Sequence, residues 1–246
     1  MTYKFTIGLL ALTCAAQSTE PPALRKFSFG GRIRILANGL FDNATTTYEP
    51  TTPAVRREDT TKNLSSRGAL APSVEYAFSR RWSVSADLFY QRARYEQATT
   101  IGTGTRSGDA APYTYQYTTT STERTRATFW DIPVLVQRRG FGENAFLSKV
   151  YAGVGGTARF VRSVKSGTET ILPDDDVTTT YSEAATTPRT KQTFGATAAV
   201  GFRFVDDYRI RFAPEFRYTR WFGAPFDSNS TRTARGQMEV VLGITF

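Results

Sequence analysis

Asp87, Asp131, Glu215 and Glu239, with Glu75 and Gln137, stand at alternate positions of runs whose intervening residues are apolar. Arg32, Arg34, Arg203, Arg209, Arg211 and Arg217 occupy the same kind of position. Two chemistries use such residues. Carboxylate pairs act as general acid and base when their surroundings push their pKa values apart. Carboxylates interleaved with guanidiniums instead form charge-assisted hydrogen-bond networks. The sequence favours the second, because no nucleophile accompanies these carboxylates in a recognisable motif and the chain has no histidine, the commonest general base and metal ligand.

The other candidates for chemistry are weaker. Asp174-Asp175-Asp176 lacks the ligand spacing and turn glycine of a calcium loop. Gly102-Thr103-Gly104 has no strand-to-helix setting and no phosphate-loop lysine, and reads as flexible loop. The single cysteine, Cys14, lies in an amino-terminal segment that resembles a secretory leader: Lys4, then apolar residues Phe5 to Thr13, then Cys14-Ala15-Ala16. Cleavage after Ala16 is expected, with acylation of Cys14 as the alternative, and it leaves a mature chain without thiol chemistry. No catalytic, cofactor-binding or metal site is expected.

The elements that carry the charged residues have a period of two. Eight segments read this way: about Lys26 to Leu36, Ala69 to Phe78, Trp82 to Gln91, Arg124 to Arg138, Leu147 to Val161, Gln192 to Phe204, Tyr208 to Phe222 and Gln237 to Phe246. In the sixth, Phe194, Ala196, Ala198, Val200, Phe202 and Phe204 oppose Thr193, Gly195, Thr197, Ala199, Gly201 and Arg203. Pro133 is awkward in the fourth, since proline donates nothing to a ladder, and it predicts a bulge or a weakly paired point. No window is apolar enough for a membrane-spanning helix after the leader, but strands with one apolar face suit a membrane barrel.

Connections alternate in length. Ser79-Arg80-Arg81, Gly140 to Ala145 and Val205-Asp206-Asp207 are short, whereas Asn38 to Asn63, Glu96 to Ser121 and Arg162 to Lys191 are long and rich in Thr, and Gly223 to Arg232 is intermediate. Short turns at one end and long loops at the other are the asymmetry of outer-membrane barrels. Tyr113, Tyr115 and Tyr117 before a Thr run suggest either a two-stranded extension past the bilayer or an aromatic girdle. The organisation expected is a signal peptide over 1–16, a periplasmic lead-in over 17–25 and one barrel domain over 26–246.

The formal charge is +9, from 31 basic and 22 acidic residues. The arginines are scattered along the sequence without a basic helix or clustered stripe, which argues against nucleic acid and for anionic lipid, including the phosphates of lipopolysaccharide. The last strand alternates without a break, with Met238, Val240, Leu242, Ile244 and Phe246 on one face.

Pro72-Ser73-Val74-Glu75-Tyr76, Phe129-Trp130-Asp131-Ile132-Pro133-Val134-Leu135-Val136, Pro214-Glu215-Phe216-Arg217-Tyr218-Thr219-Arg220-Trp221 and the final Phe246 give this chain its resemblance to the bacterial outer-membrane β-barrel domain family. The small members of that family share the architecture of outer-membrane protein X and of the barrel of outer-membrane protein A. The resemblance implies an all-β, eight-stranded antiparallel up-and-down transmembrane barrel in the outer membrane of a Gram-negative bacterium, with short periplasmic turns and long extracellular loops. It also implies that Met238 to Phe246 serve as the signal read by the barrel-assembly machinery, and it carries no catalytic residue. The function expected is non-enzymatic: a monomer with a structural or adhesive role through its loops and a possible extracellular ligand. A narrow porin-like channel is the alternative. The charged set above then faces a lumen narrow enough to be filled by its own side chains.

Overall fold

The computed structural model describes residues 26–48, 55–105, 114–142, 144–171, 177–180, 188–205, 210–227 and 232–246. The leader, Asp174 to Asp176, Tyr113 and Arg209 lie outside them.

Eight staves close on themselves. They are β1 (Phe27–Leu36), β2 (Gly68–Ala77), β3 (Trp82–Asp87 continuing as Phe89–Thr105), β4 (Thr114–Arg139), β5 (Val150–Ile171), β6 (Gln192–Phe202), β7 (Arg211–Trp221) and β8 (Gly236–Thr245). Each pairs antiparallel with its neighbour in sequence, and β8 returns to β1 through Gly30↔Thr245 to Leu36↔Glu239. Closure leaves no free edge in the barrel wall.

Alternation is inverted relative to a water-soluble protein. Arg217 is wholly buried, while Phe216 and Tyr218 beside it are 46% and 37% exposed. In β1, Ser28, Arg32 and Arg34 point in and Phe27, Phe29, Ile33 and Ile35 point out. Backbone groups of a closed sheet are satisfied between strands, so the apolar outer face meets lipid at no hydrogen-bonding cost. On β3 the outer apolar run extends from Trp82 to Tyr90 and ends at Arg92 and Arg94. Nine residues of tilted strand match an apolar band about 25 Å tall.

Pro133 produces a gap rather than a bulge. The β3–β4 register is the same at Ala86↔Val134 and at Phe89↔Asp131, with the pairing interrupted between them, while Leu88 continues the other ladder by donating its N–H to the Pro72 carbonyl of β2. Register shifts occur higher up, at Arg126/Thr128 against β5 and at Ile101/Gly102. At the first of these, Ser163 adopts a φ of 49°. The fifth stave begins at Val150, later than Leu147, because Ala145 to Lys149 complete the preceding turn.

The long loops are the main departure from expectation, apart from the two-stranded extension of β3 and β4, which is present. Much of Asn38 to Asn63, Glu96 to Ser121 and Arg162 to Lys191 is strand: β3 and β4 pair as far as Thr105↔Thr114, and β4 and β5 as far as Thr120↔Ile171. A hairpin of Ala44–Tyr48 and Val55–Asn63 adds to β3, and Val177–Thr180 adds to β5. Gly102-Thr103-Gly104 is thus part of β3, not flexible loop. Thr favours a pleated strand through its β-branch, and pairing with neighbours outweighed the loop-like composition. A wall of sheet therefore stands on one side of the barrel above the membrane.

Candidate functional site

The interior is layered. At the periplasmic end Glu75 accepts from Arg203 Nη2 at 2.8 Å and Nη1 at 3.1 Å and also pairs with Arg139, while Arg211 Nη1 donates to Ser28 Oγ at 2.7 Å. In the middle, Glu215 accepts from Arg32 (3.3 Å), from the Tyr151 hydroxyl (2.7 Å) and from Arg217. Arg217 Nη2 donates to Asp87 at 2.8 Å, and Arg32 Nε lies 3.2 Å from the same carboxylate. Above them Asp131 accepts two bonds from Arg159, at 2.7 and 2.9 Å, and one from Arg34 at 2.8 Å. Glu239 lies 3.5 Å from Arg34, Gln91 bonds to Arg34, and Gln137 donates to Ser85 at 3.1 Å.

The structure brings together eleven of the twelve polar residues named from the sequence, the twelfth being Arg209 outside the described residues. Arg159, Arg139 and Tyr151 complete the network and were missed, and Gln237, on the polar face of the last strand, joins it. Arg159 was hidden because Gly153, Gly155 and Gly156 blur the period of β5; the alternation of Thr157 and Arg159 with Ala158 and Phe160 was the signal for it. Gln237 accepts from Arg159 at 2.9 Å and from Trp221 Nε1 at 3.1 Å.

Aromatic rings support the guanidiniums. Arg159 lies 4.1 Å from the Trp221 ring centroid and 4.9 Å from that of Phe129, and Arg34 lies 4.5 Å from that of Phe89. Cations desolvated against ring faces gain an attraction that partly offsets the loss of water.

An apolar cap closes the outer mouth. Leu36, Leu40, Phe41, Ala93, Tyr95, Ala127, Phe129, Val161 and Phe226 form one buried cluster. Phe41 packs on Tyr95 at 5.0 Å and on Phe226 at 5.7 Å between ring centroids. Phe41–Asp42 pairs with Arg232–Thr233, and Ala234 donates to the Leu40 carbonyl, so the first and last outer connections tie together across the opening. The sequence signal was Leu40-Phe41 and Phe226, apolar residues inside polar loops. Burial raises the Tyr95 pKa; its hydrogen bond with Thr125 opposes the rise and nearby Glu123 adds to it.

The proposed assembly stretch lies on the lipid side. Met238, Val240, Ile244 and Phe246 are exposed on the outer face of β8, with Leu242 half-buried among them.

A closed ring of eight staves, apolar outside and ionic inside, defines a transmembrane β-barrel. The sequence matches the outer membrane protein beta-barrel domain family over residues 15–223, and the chain belongs to that family. It is an outer-membrane protein. Among solved structures it is similar to the outer membrane protein OprG from Pseudomonas aeruginosa, at 12% identity and a TM-score of 0.39, over 89% of this chain and 95% of that one. No curated protein matches.

Proposed function

We propose that this protein is a plugged outer-membrane scaffold, without catalytic activity, whose working part is the sheet that β3, β4 and β5 carry above the membrane. The observation that carries this reading is the double closure of the lumen by the Arg–carboxylate layers and by the Phe41–Tyr95–Phe226 cap. Eight strands enclose little more than enough space for side chains, and buried arginines, carboxylates and the apolar cap occupy it along its length.

The raised sheet offers a polar surface to a partner outside the cell. On its lumen side Asp59 accepts from Thr99 at 2.6 Å and from Arg57 at 3.0 Å, and Ser121 lies 3.4 Å from Thr170 in the same cross-strand row. On the other side Arg124 bridges Glu96 at 2.9 Å and Glu169 at 3.4 Å. Hydroxyls and exposed ion pairs of this kind suit a hydrated partner such as a glycan or a polar protein surface. The protein acts as a monomer, and Met238 to Phe246 serve barrel assembly.

A gated conduit is the second reading. It is favoured by the continuous polar column below the cap, since opening the Phe41–Asp42 pairing with Arg232–Thr233 would expose that column to the outside. Single-channel recording on purified protein in planar bilayers, with heat-modifiable gel mobility to establish folding, separates the two. A folded barrel without conductance steps supports the scaffold; reproducible steps make the arginine–carboxylate column a conduit.

A further inference from the structure

Arginines dispersed in the sequence form an ordered outer patch in the fold. Tyr90, Trp130 and Phe160 stand directly opposite one another on β3, β4 and β5, and Tyr90 packs edge-on against Trp130 at 5.1 Å. This row marks the outer limit of the apolar band. Two residues further along each strand, about 7 Å, the facing row is Arg92, Thr128 and Arg162. The next row is Arg94, Arg126 and Lys165. All five cations are exposed. Like charges directly opposite in a sheet repel and cost stability, and none of the ion pairs among the described residues involves Arg94, Arg126 or Arg162.

A groove of about 370 Å³ adjoins this patch. Ile33, Ala69, Leu70 and Tyr90 line it, with Arg92 at its polar side. It opens on the lipid-facing surface of β1, β2 and β3. Arg92 Nε donates to the Tyr90 hydroxyl at 3.3 Å, which holds a cation beside the groove.

We propose that this face binds a phosphorylated, acylated lipid of the outer leaflet, with phosphate groups on Arg92, Arg94, Arg126 and Arg162 and an acyl chain in the Ile33–Leu70–Tyr90 groove. Three features agree on the occupant. The cations lie one and two steps above the aromatic girdle, where headgroup phosphates sit. A bound anion would relieve the repulsion between Arg94 and Arg126, which face each other across β3 and β4. The groove beneath Arg92 is apolar and faces acyl chains. The site is independent of the raised sheet's partner and of lumen closure.

The test is the thermal unfolding midpoint of the full chain in phosphatidylcholine vesicles, with and without diphosphoryl lipid A. Wild type should gain stability with lipid A. Arg94→Ser/Arg126→Ser/Arg162→Ser should lose that gain, with affinity falling about five-fold for each cation removed. In phosphatidylcholine alone the same variant should be at least as stable as wild type, because repulsion has been removed. Should the triple variant fail to insert, Arg126→Ser alone carries the test, as the middle member of its row. Leu70→Trp, which fills the groove, should weaken the lipid A response and leave the midpoint in phosphatidylcholine unchanged. Arg80→Ser/Arg81→Ser in the periplasmic turn should keep the full response. A lipid A response retained by the arginine variants, or their destabilisation in phosphatidylcholine, would overturn the proposal.

Discussion

Replacing Asp131 by asparagine is the sharpest probe of the lumen. The side chain keeps its shape but loses the charge that takes two hydrogen bonds from Arg159 and one from Arg34. The two arginines do not suffer equally. Arg34 keeps Glu239 at 3.5 Å, whereas the partners left to Arg159 are the neutral Gln237 and the rings of Trp221 and Phe129. Removing one member of a buried, hydrogen-bonded ion pair costs about 3–5 kcal/mol, and with Arg34 partly compensated a single such penalty, centred on Arg159, is expected. Denaturant unfolding from vesicles, followed by tryptophan fluorescence and by gel mobility, measures it. Asp131→Asn with Arg159→Met should recover most of the loss, because no uncompensated cation then remains at that position. A cost below about 1 kcal/mol, the level of solvated ion pairs, would refute the argument: it would mean that water reaches Arg159 and that the column is open.

Other positions give independent checks. Arginine at Phe216, in the middle of the lipid-facing stripe of β7, should cost about 2–4 kcal/mol of insertion free energy, while arginine at the exposed loop residue Ser66 should cost little; equal tolerance would remove the lipid-facing assignment. Gly155→Ala should disrupt the β4–β5 ladder, because a Cβ there runs into the Val134 carbonyl and lies 2.9 Å from Leu135 Cα, whereas Gly243→Ala should be tolerated with its nearest neighbours at 3.5 Å; circular dichroism and gel mobility report both. Tyr95 tests the cap by pH. Its folded-state pKa is raised above the ordinary value of 10.0, chiefly by burial. Its contribution is therefore complete below pH about 10 and is lost as the pH climbs toward the folded value, since the unfolded chain releases the proton first. Wild type should lose stability over that interval relative to Tyr95→Phe, and parallel curves for the two proteins would place Tyr95 in solvent.

The barrel was legible because its wall obeys one rule across the apolar band: lipid outside and ion pairs inside impose strict alternation, and a one-residue slip would expose every lumen arginine to lipid. Ile33 and Arg34, or Phe216 and Arg217, state the rule within two residues, and it holds for the arginines inside the apolar band. Legibility failed where that rule stops. Above the membrane both faces of the sheet are polar, so Thr99, Ser121 and Thr170 carry no hydrophobic period; the tyrosines before the Thr run pointed to the β3–β4 extension, but nothing pointed to the strands that β5 and the first outer connection add to it. The cap failed for a different reason. It assembles from Phe41 and Phe226, far apart in sequence, whose meeting depends on closure of β8 onto β1. The outer cationic rows were likewise invisible, since Arg94, Arg126 and Lys165 become neighbours only through the register of three strands and the shift at Arg126/Thr128.

That shift connects the two outer features. With Ser163 at a φ of 49°, β5 accommodates an extra residue where the staves leave the apolar band. Bulges bend a strand and increase its twist, and here the bend falls between the Arg92–Thr128–Arg162 row and the sheet above it. A side chain in the left-handed region costs about 1–3 kcal/mol, so the feature persists against a local penalty. Ser163→Gly removes that penalty without altering the register, and after glycine's own entropic cost of about 0.5–1 kcal/mol it should raise stability by about 1–2 kcal/mol. Ser163→Val adds a β-branch to the same conformation and should force the bulge to relocate, displacing Lys165 from Arg126. If the bulge sets the direction of the raised sheet, the valine variant should keep a folded barrel and lose ordered strand above the membrane, seen as faster amide exchange from Thr120 to Thr125. Unchanged exchange there would mean that the sheet is aimed by its own pairing and owes nothing to the bulge.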